Sequence, residues 1–101
     1  MSNQHNQDQQ WKLLVLLLKE IADQKNLTQN DIAEITGMQQ SAVSRFMLCK
    51  FTPRLDTFLM IAKAIGVNFF FEDKDETTDL TLAFEKAMTE LGRRPDKLPK
   101  N

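Results

Sequence analysis

Residues Thr28–Phe46 read TQNDIAEITGMQQSAVSRF, and two short helical patterns meet inside them. Thr28 follows the loop residues Asn26 and Leu27 and suits an N-cap, with Asp31 three positions on to answer it. Helical spacing runs from Gln29 to about Thr36. Gly37 then interrupts the pattern, which resumes from Gln39 to about Leu48.

Two short helices joined through a glycine, the second polar on its outer face, suggest a helix-turn-helix. The geometry makes demands on this stretch. Ala33 is small where the helices must cross closely, and Gly37 lets the backbone turn. Ile32, Met38, Val43 and Phe46 are spaced to form a shared core. At Thr36 a fully apolar side chain would fit better. The outer face carries amides and hydroxyls: Gln39, Gln40, Ser41 and Ser44. No acid occurs from Ile35 through Leu55, yet Arg45, Lys50 and Arg54 fall within that window. Local positive charge without acids suits a partner that presents phosphates.

The flanks add further elements. Residues 1–9, MSNQHNQDQ, are polar and are expected to be a flexible tail. From Gln10 to about Lys25, Trp11, Leu14, Leu18, Ile21 and Ala22 keep helical spacing, and Leu13, Val15, Leu16 and Leu17 fill the other faces. A helix apolar nearly all round needs cover on more than one side, which in so small a protein another subunit can supply. Thr52-Pro53 breaks the chain, and Leu55 to Ile65 reads as a helix with Asp56 in its first turn and Gly66 past its end. Val67 to Asp73 (VNFFFED) is β-branched and aromatic without helical period, which predicts a strand. Thr77 or Thr78 is expected to cap a last helix to about Leu91, with Leu80, Phe84, Ala87, Met88 and Leu91 on one stripe. Gly92 ends it, and RRPDKLPKN, 93–101, is expected to be a basic, flexible tail.

Bulk properties exclude several classes. The 101 residues leave room for one domain with a modest core, and a formal net charge of −1 means that nucleic-acid binding must rest on local charge. A single cysteine, Cys49, rules out an intrachain disulfide and a cysteine-rich zinc site, fits a reducing cytoplasm and reads as a half-buried structural thiol. The apolar run Leu13–Leu18 is too short to span a membrane and lacks the cleavage site of a signal peptide. His5 has no metal-binding partner at suitable spacing, and the Glu72–Glu76 cluster lacks the glycine of a calcium loop. With no nucleophile–base pair and no Gly-rich phosphate loop, neither an enzyme nor a cofactor is expected.

The stretch LTQNDIAEITGMQQSAVSRFMLCKFTPRLDTFLMIAKAIGV, Leu27–Val67, resembles the Xre-type helix-turn-helix family, which includes the phage repressor and Cro DNA-binding domains. The pieces that carry the resemblance are Leu27-Thr28-Gln29, Ile32-Ala33-Glu34, Gly37, Ser41 with Val43-Ser44-Arg45, Lys50 with Pro53, and Leu55 with Ile61 to Ala64 and Gly66-Val67. The resemblance implies a recognition helix starting near Gln39 whose N-terminal part lies in the major groove of double-stranded DNA. Gln40, Ser41 and Arg45 match base-reading positions, with Ser44 close to that face. Gln29, Gln39, Lys50 and Arg54 match backbone contacts. A Gln amide can pair bidentately with adenine and an Arg guanidinium with guanine. The competing reading for Arg45 is an ion pair with Glu34 or Glu20, which on a surface contributes little. This sequence departs from the family where the recognition helix ends: Met47 and Leu48 replace residues that are usually polar, and Cys49 an often-present glycine. Both apolar residues then need a neighbour, for which the helix around Phe84 and Met88 is the candidate.

A lone strand cannot satisfy its own backbone, so Val67, Phe69, Phe70 and Phe71 are expected to pair with a second chain in an isologous homodimer, with Phe84 and Met88 as cover. That layout also looks like the antitoxins of Hip-type toxin–antitoxin modules, which would make a toxin a partner. The expected fold is mostly α: a five-helix repressor-like domain over 10–67, then a strand and a final helix over 68–92 for dimerisation. The expected function is a sequence-specific transcriptional regulator, a repressor on a palindromic operator. An autoregulating antitoxin and a protein-interaction module without DNA are the alternatives.

Overall fold

A computed structural model describes residues 2–92, with side chains from Gln9 onward. The basic tail expected at 93–101 lies outside the described residues. Five helices follow one another: α1 (Ser2–Gln24), α2 (Gln29–Thr36), α3 (Gln40–Met47), α4 (Leu55–Ile65) and α5 (Leu80–Glu90). The chain divides into two compact units after Val67. The first unit thus holds four helices rather than the expected five, and α5 is the helix of the second. No helix among the described residues is long and apolar enough to cross a membrane.

In the first unit each helix turns an apolar face to a common core. Val15, Leu18 and Ala22 come from α1, Ile32 and Ala33 from α2, Val43, Phe46 and Met47 from α3, and Phe58, Ile61, Ala62 and Ile65 from α4. Met38 packs against it from the turn. The rings of Phe46 and Phe58 lie 6.3 Å apart at 46°, an offset that suits their quadrupoles. The outer leucines of α1, Leu13, Leu16 and Leu17, remain about half exposed.

Local chemistry sets where the helices start and stop. The Thr28 hydroxyl accepts from the Asp31 amide (3.0 Å), and the Asp31 carboxylate accepts from the Thr28 amide (2.9 Å), closing a capping box on α2. At the other end Gly37 takes φ 80° and donates to the Ala33 carbonyl, a left-handed exit that a side chain would strain. Thr36 has a role its polarity did not suggest. Its hydroxyl donates to the Ile32 carbonyl at 2.8 Å and accepts from the Met38 amide at 3.2 Å, tying the turn to the helix it leaves.

Three helices close with the paired bonds of a Schellman motif around a left-handed residue. After α1 it is Asn26 (φ 60°), with Leu27 N–H to the Ala22 carbonyl and Asn26 N–H to that of Asp23. After α3 it is Cys49 (φ 57°), with Lys50 N–H to Arg45 and Cys49 N–H to Phe46. After α4 it is Gly66 (φ 89°), with Val67 N–H to Ala62 and Gly66 N–H to Lys63. The Lys25 ammonium adds bonds to the carbonyls of Ile65 (2.8 Å) and Gly66 (3.3 Å), so a cation sits at the negative end of α4 and ties it to the end of α1.

The capping box yields a pH signature. Hydrogen bonds from the Thr28 amide, then its hydroxyl, hold the Asp31 carboxyl below its ordinary value. The folded form therefore binds fewer protons than the unfolded chain, and the stabilisation present above the ordinary carboxylate range is lost as pH falls through the lowered value. Thr28→Ala is expected to lower stability by about 1 kcal/mol at neutral pH. Asp31→Asn is expected to be less stable than the parent at neutral pH, with the difference closing on acidification. Urea titrations at several pH values test this; a gap that stays constant from neutral to acid pH would remove the charged cap from the account.

Several expectations require correction. Helix α1 begins at Ser2, well before Gln10, because Ser2–Gln9 carry no apolar stripe and so no periodicity to detect. No strand is present among the described residues, and Val67–Asp73 is irregular. A strand exists only with a ladder partner, and the described chain supplies none. Asp79, not Thr77 or Thr78, caps α5 by accepting from the Leu82 amide at 3.0 Å. Thr77 instead donates its amide to Asp73, whose carboxylate also accepts from Asp75 and organises the acidic turn. Hydrogen bonding, first from the Thr78 hydroxyl and then from the Asp75 amide, holds Asp73 below its ordinary value. Met47 needs no cover from the Phe84–Met88 helix, because it points into the first unit's own core, whereas Leu48 is 58% exposed.

Candidate nucleic-acid interface

The proposed reading surface is built on α3. Val43, Phe46 and Met47 anchor one side of this helix in the core, which forces the opposite side outward. Gln40, Ser41 and Arg45 lie on that outer side and are exposed, and Ser44 is half-buried at its margin. Ser41, Ser44 and Arg45 stand three and four residues apart, so they share one stripe. No carboxylate pairs with Arg45 among the described residues; neither Glu34 nor Glu20 holds it. Its guanidinium presents its donors to solvent.

The start of α3 is left open. Gln39 occupies the N-cap with extended backbone (φ −71°, ψ 146°), but its side chain makes no capping bond. The first amides of the helix therefore point outward without a side-chain acceptor, and the Gln39 amide is exposed beside them. That is an environment suited to an anionic oxygen. At the start of α2, by contrast, the capping box already serves the Asp31 amide, and Gln29 is half-buried as the first residue of that helix.

The basic residues differ in their freedom. Lys50 is exposed just past the Cys49 closure, with no ion pair among the described residues. Arg54, at the N-cap of α4, bonds the Asp56 carboxylate at 3.1 Å, with both side chains largely exposed. An exposed pair of this kind contributes little, so a phosphate can displace the carboxylate at small loss. The acid that pairs with Arg54 lies just past the acid-free window, which ends at Leu55.

A helix-turn-helix family model matches residues 18–71, more than half of the chain. The chain belongs to that family. As an Xre/Cro-like helix-turn-helix protein it is a member of a family of DNA-binding regulators. The match begins within α1, spans the α2–Gly37–α3 unit and α4, and ends at Phe71. No curated protein and no solved structure matches the chain. In this helix-turn-helix unit α2 and α3 are packed through Ile32, Ala33, Val43 and Phe46, so the four candidate reading residues ride on a helix fixed from behind.

The candidate dimerisation residues are spread over both units. Val67 packs against the first unit's core. In the second unit Phe69 is about half exposed, Phe70 and Phe71 are 92% and 91% exposed, Phe84 is exposed and Met88 is buried.

Proposed function

We propose that this protein is a transcriptional repressor that binds a palindromic DNA operator as a homodimer, with residues 10–67 as the DNA-binding domain and 68–92 as the dimerisation extension. The observation that carries the reading is the outer face of α3, where Gln40, Ser41 and Arg45 stand exposed in a window without acids. In this reading Gln40, Ser41, Ser44 and Arg45 contact base edges, because amide, hydroxyl and guanidinium groups match the donors and acceptors of the major groove. Gln29, Gln39, Lys50 and Arg54 grip phosphates and set the register. Each subunit places one α3 in the groove, and the half-sites lie about one helical turn apart.

Dimerisation is supported by the solvent-exposed Phe70 and Phe71, side chains that rarely stand together in water unless a partner covers them. The decisive experiment is selection of bound sites from random duplex DNA by the purified protein. An inverted repeat with half-sites about one turn apart is the expected product; recovery of no enriched sequence would overturn the reading in favour of a protein-interaction module.

Lys50→Ala is expected to weaken binding to all sequences alike and to reduce the slope of log affinity against log salt by about 1 per contact. Titrations of selected and scrambled duplexes at several salt concentrations test this. A loss confined to the selected site would place Lys50 on a base instead.

A further inference from the structure

We propose that α1 carries a self-association surface of its own, across which two copies pair antiparallel about a twofold axis level with Val15. The contact lies wholly within the first unit. It is independent of the DNA reading and adds to the contact proposed for residues 68–92.

The surface is the side of α1 away from the core, bounded by Leu14. Val15, Leu18 and Ala22 point inward, yet Leu13, Leu14, Leu16 and Leu17 remain 44–52% exposed. Leucines clustered in this way on one helix form an apolar patch of the kind that a protein partner covers. Gln10, Leu13, Leu17 and Glu20 follow one another in steps of three, four and three residues, the spacing of a helix-pairing seam.

That seam is symmetric about Val15, so it fits a reversed copy of itself. Reversal sets Leu13 of one copy against Leu17 of the other, and Gln10 against Glu20. Leu14 and Leu16 then close the two flanks, each beside its own counterpart. The four exposed leucines of one copy thus cover the same four of the second, which makes a second copy the fitting occupant.

Charge chooses the direction. In a parallel pair the two Glu20 carboxylates would meet at one level, and like charges so placed oppose pairing. In the antiparallel pair each Glu20 meets a Gln10 amide, whose N–H groups can donate to it. Both side chains are exposed, and Glu20 holds no ion pair among the described residues.

Sedimentation of the full chain, with circular dichroism alongside, tests the contact. Leu17→Glu is expected to weaken one association step by about a hundredfold, since each pair of copies would bury the new carboxylate twice. Helix content is expected to stay constant, because Leu17 lies outside the core. Where residues 68–92 also pair, the step lost is tetramer to dimer; otherwise it is dimer to monomer. Gln10→Lys is expected to strengthen the step by about fivefold through two ion pairs with Glu20, and Gln10→Glu to weaken it similarly. In a parallel pair Gln10→Lys would weaken it instead.

Cysteine pairing reads the register directly. A mixture of Leu13→Cys and Leu17→Cys chains is expected to cross-link faster than either variant alone, with the parent giving the background from Cys49. Weaker association in Gln10→Lys, or a Leu13→Cys variant that outpaces the mixture, overturns the antiparallel register. Sedimentation unchanged by Leu17→Glu overturns the contact itself and assigns the leucines to another cover. A parent that sediments as a monomer overturns this contact and the one at 68–92 together. Failure of the DNA site selection, by contrast, leaves the α1 contact standing.

Discussion

Phe46→Ala is expected to unfold the four-helix unit. Phe46 is almost fully buried at the centre of that unit, against the Phe58 ring and among residues from all four helices. Truncating a buried phenylalanine to alanine costs about 3–5 kcal/mol, from lost transfer free energy and from the cavity left behind. A unit of this size has about 3–10 kcal/mol in total, by the usual stability per residue. One substitution therefore removes a third or more of the stability and, toward the lower bound, all of it. Thermal melts followed by circular dichroism should show the cooperative transition lost or shifted down by more than ten degrees. Phe46→Leu keeps most of the volume and is expected to fold. If Phe46→Ala melted like the parent, the packing described for α3 would be wrong. DNA binding should fall with the fold, although Phe46 is buried on the inner side of α3.

The second large effect separates reading from folding. Arg45→Ala is expected to leave the melting transition unchanged, since the side chain is exposed and makes no ion pair among the described residues. It is expected to lower affinity for the selected operator by about 1–3 kcal/mol, roughly 5- to 150-fold, and to relax preference at one position of each half-site. Arg45→Lys should recover the non-specific part of the affinity and not the preference, because an ammonium cannot form the planar two-bond fork that guanine accepts. Titrations against the operator and single-base variants give both numbers. Unchanged affinity and preference in Arg45→Ala would remove this residue from the base-reading set.

The parts of the molecule that the sequence foretold are those where a local rule and a packing rule agree. Helix α4 was legible to the residue, because Asp56 marks its first turn, Gly66 its exit, and apolar spacing its buried face. The capping box at Thr28 and the turn at Gly37 were legible for the same reason. Polarity and the lack of acids marked the outer face of α3 as exposed, which its burial matches, while the assignment of that face to base reading came from the resemblance to the Xre-type family.

What stayed hidden depends on distance or on a partner. The bond from Lys25 to the end of α4 spans forty residues and leaves no mark in local spacing. The expectation for Met47 failed because its direction depends on where Leu48 and Cys49 end the helix, and a non-glycine left-handed closure is a weak sequence signal. The VNFFF segment has the composition of a strand but no mate in the described chain, so composition and isolated structure disagree. The start of α1 was missed because a polar helix gives no amphipathic period.

The two left-handed residues that bracket α3, Gly37 and Cys49, have a consequence for how such a protein can change. Between them the chain is a cassette: it enters from the Gly37 turn, its far end is closed by backbone bonds around Cys49, its inner side is held by Val43, Phe46 and Met47, and its outer side contributes nothing to the core. Substitutions at Gln40, Ser41 and Arg45 therefore leave the scaffold's stability nearly untouched. In the proposed reading, target preference can drift, or be redesigned by grafting a new outer face, without a compensating change elsewhere in the chain.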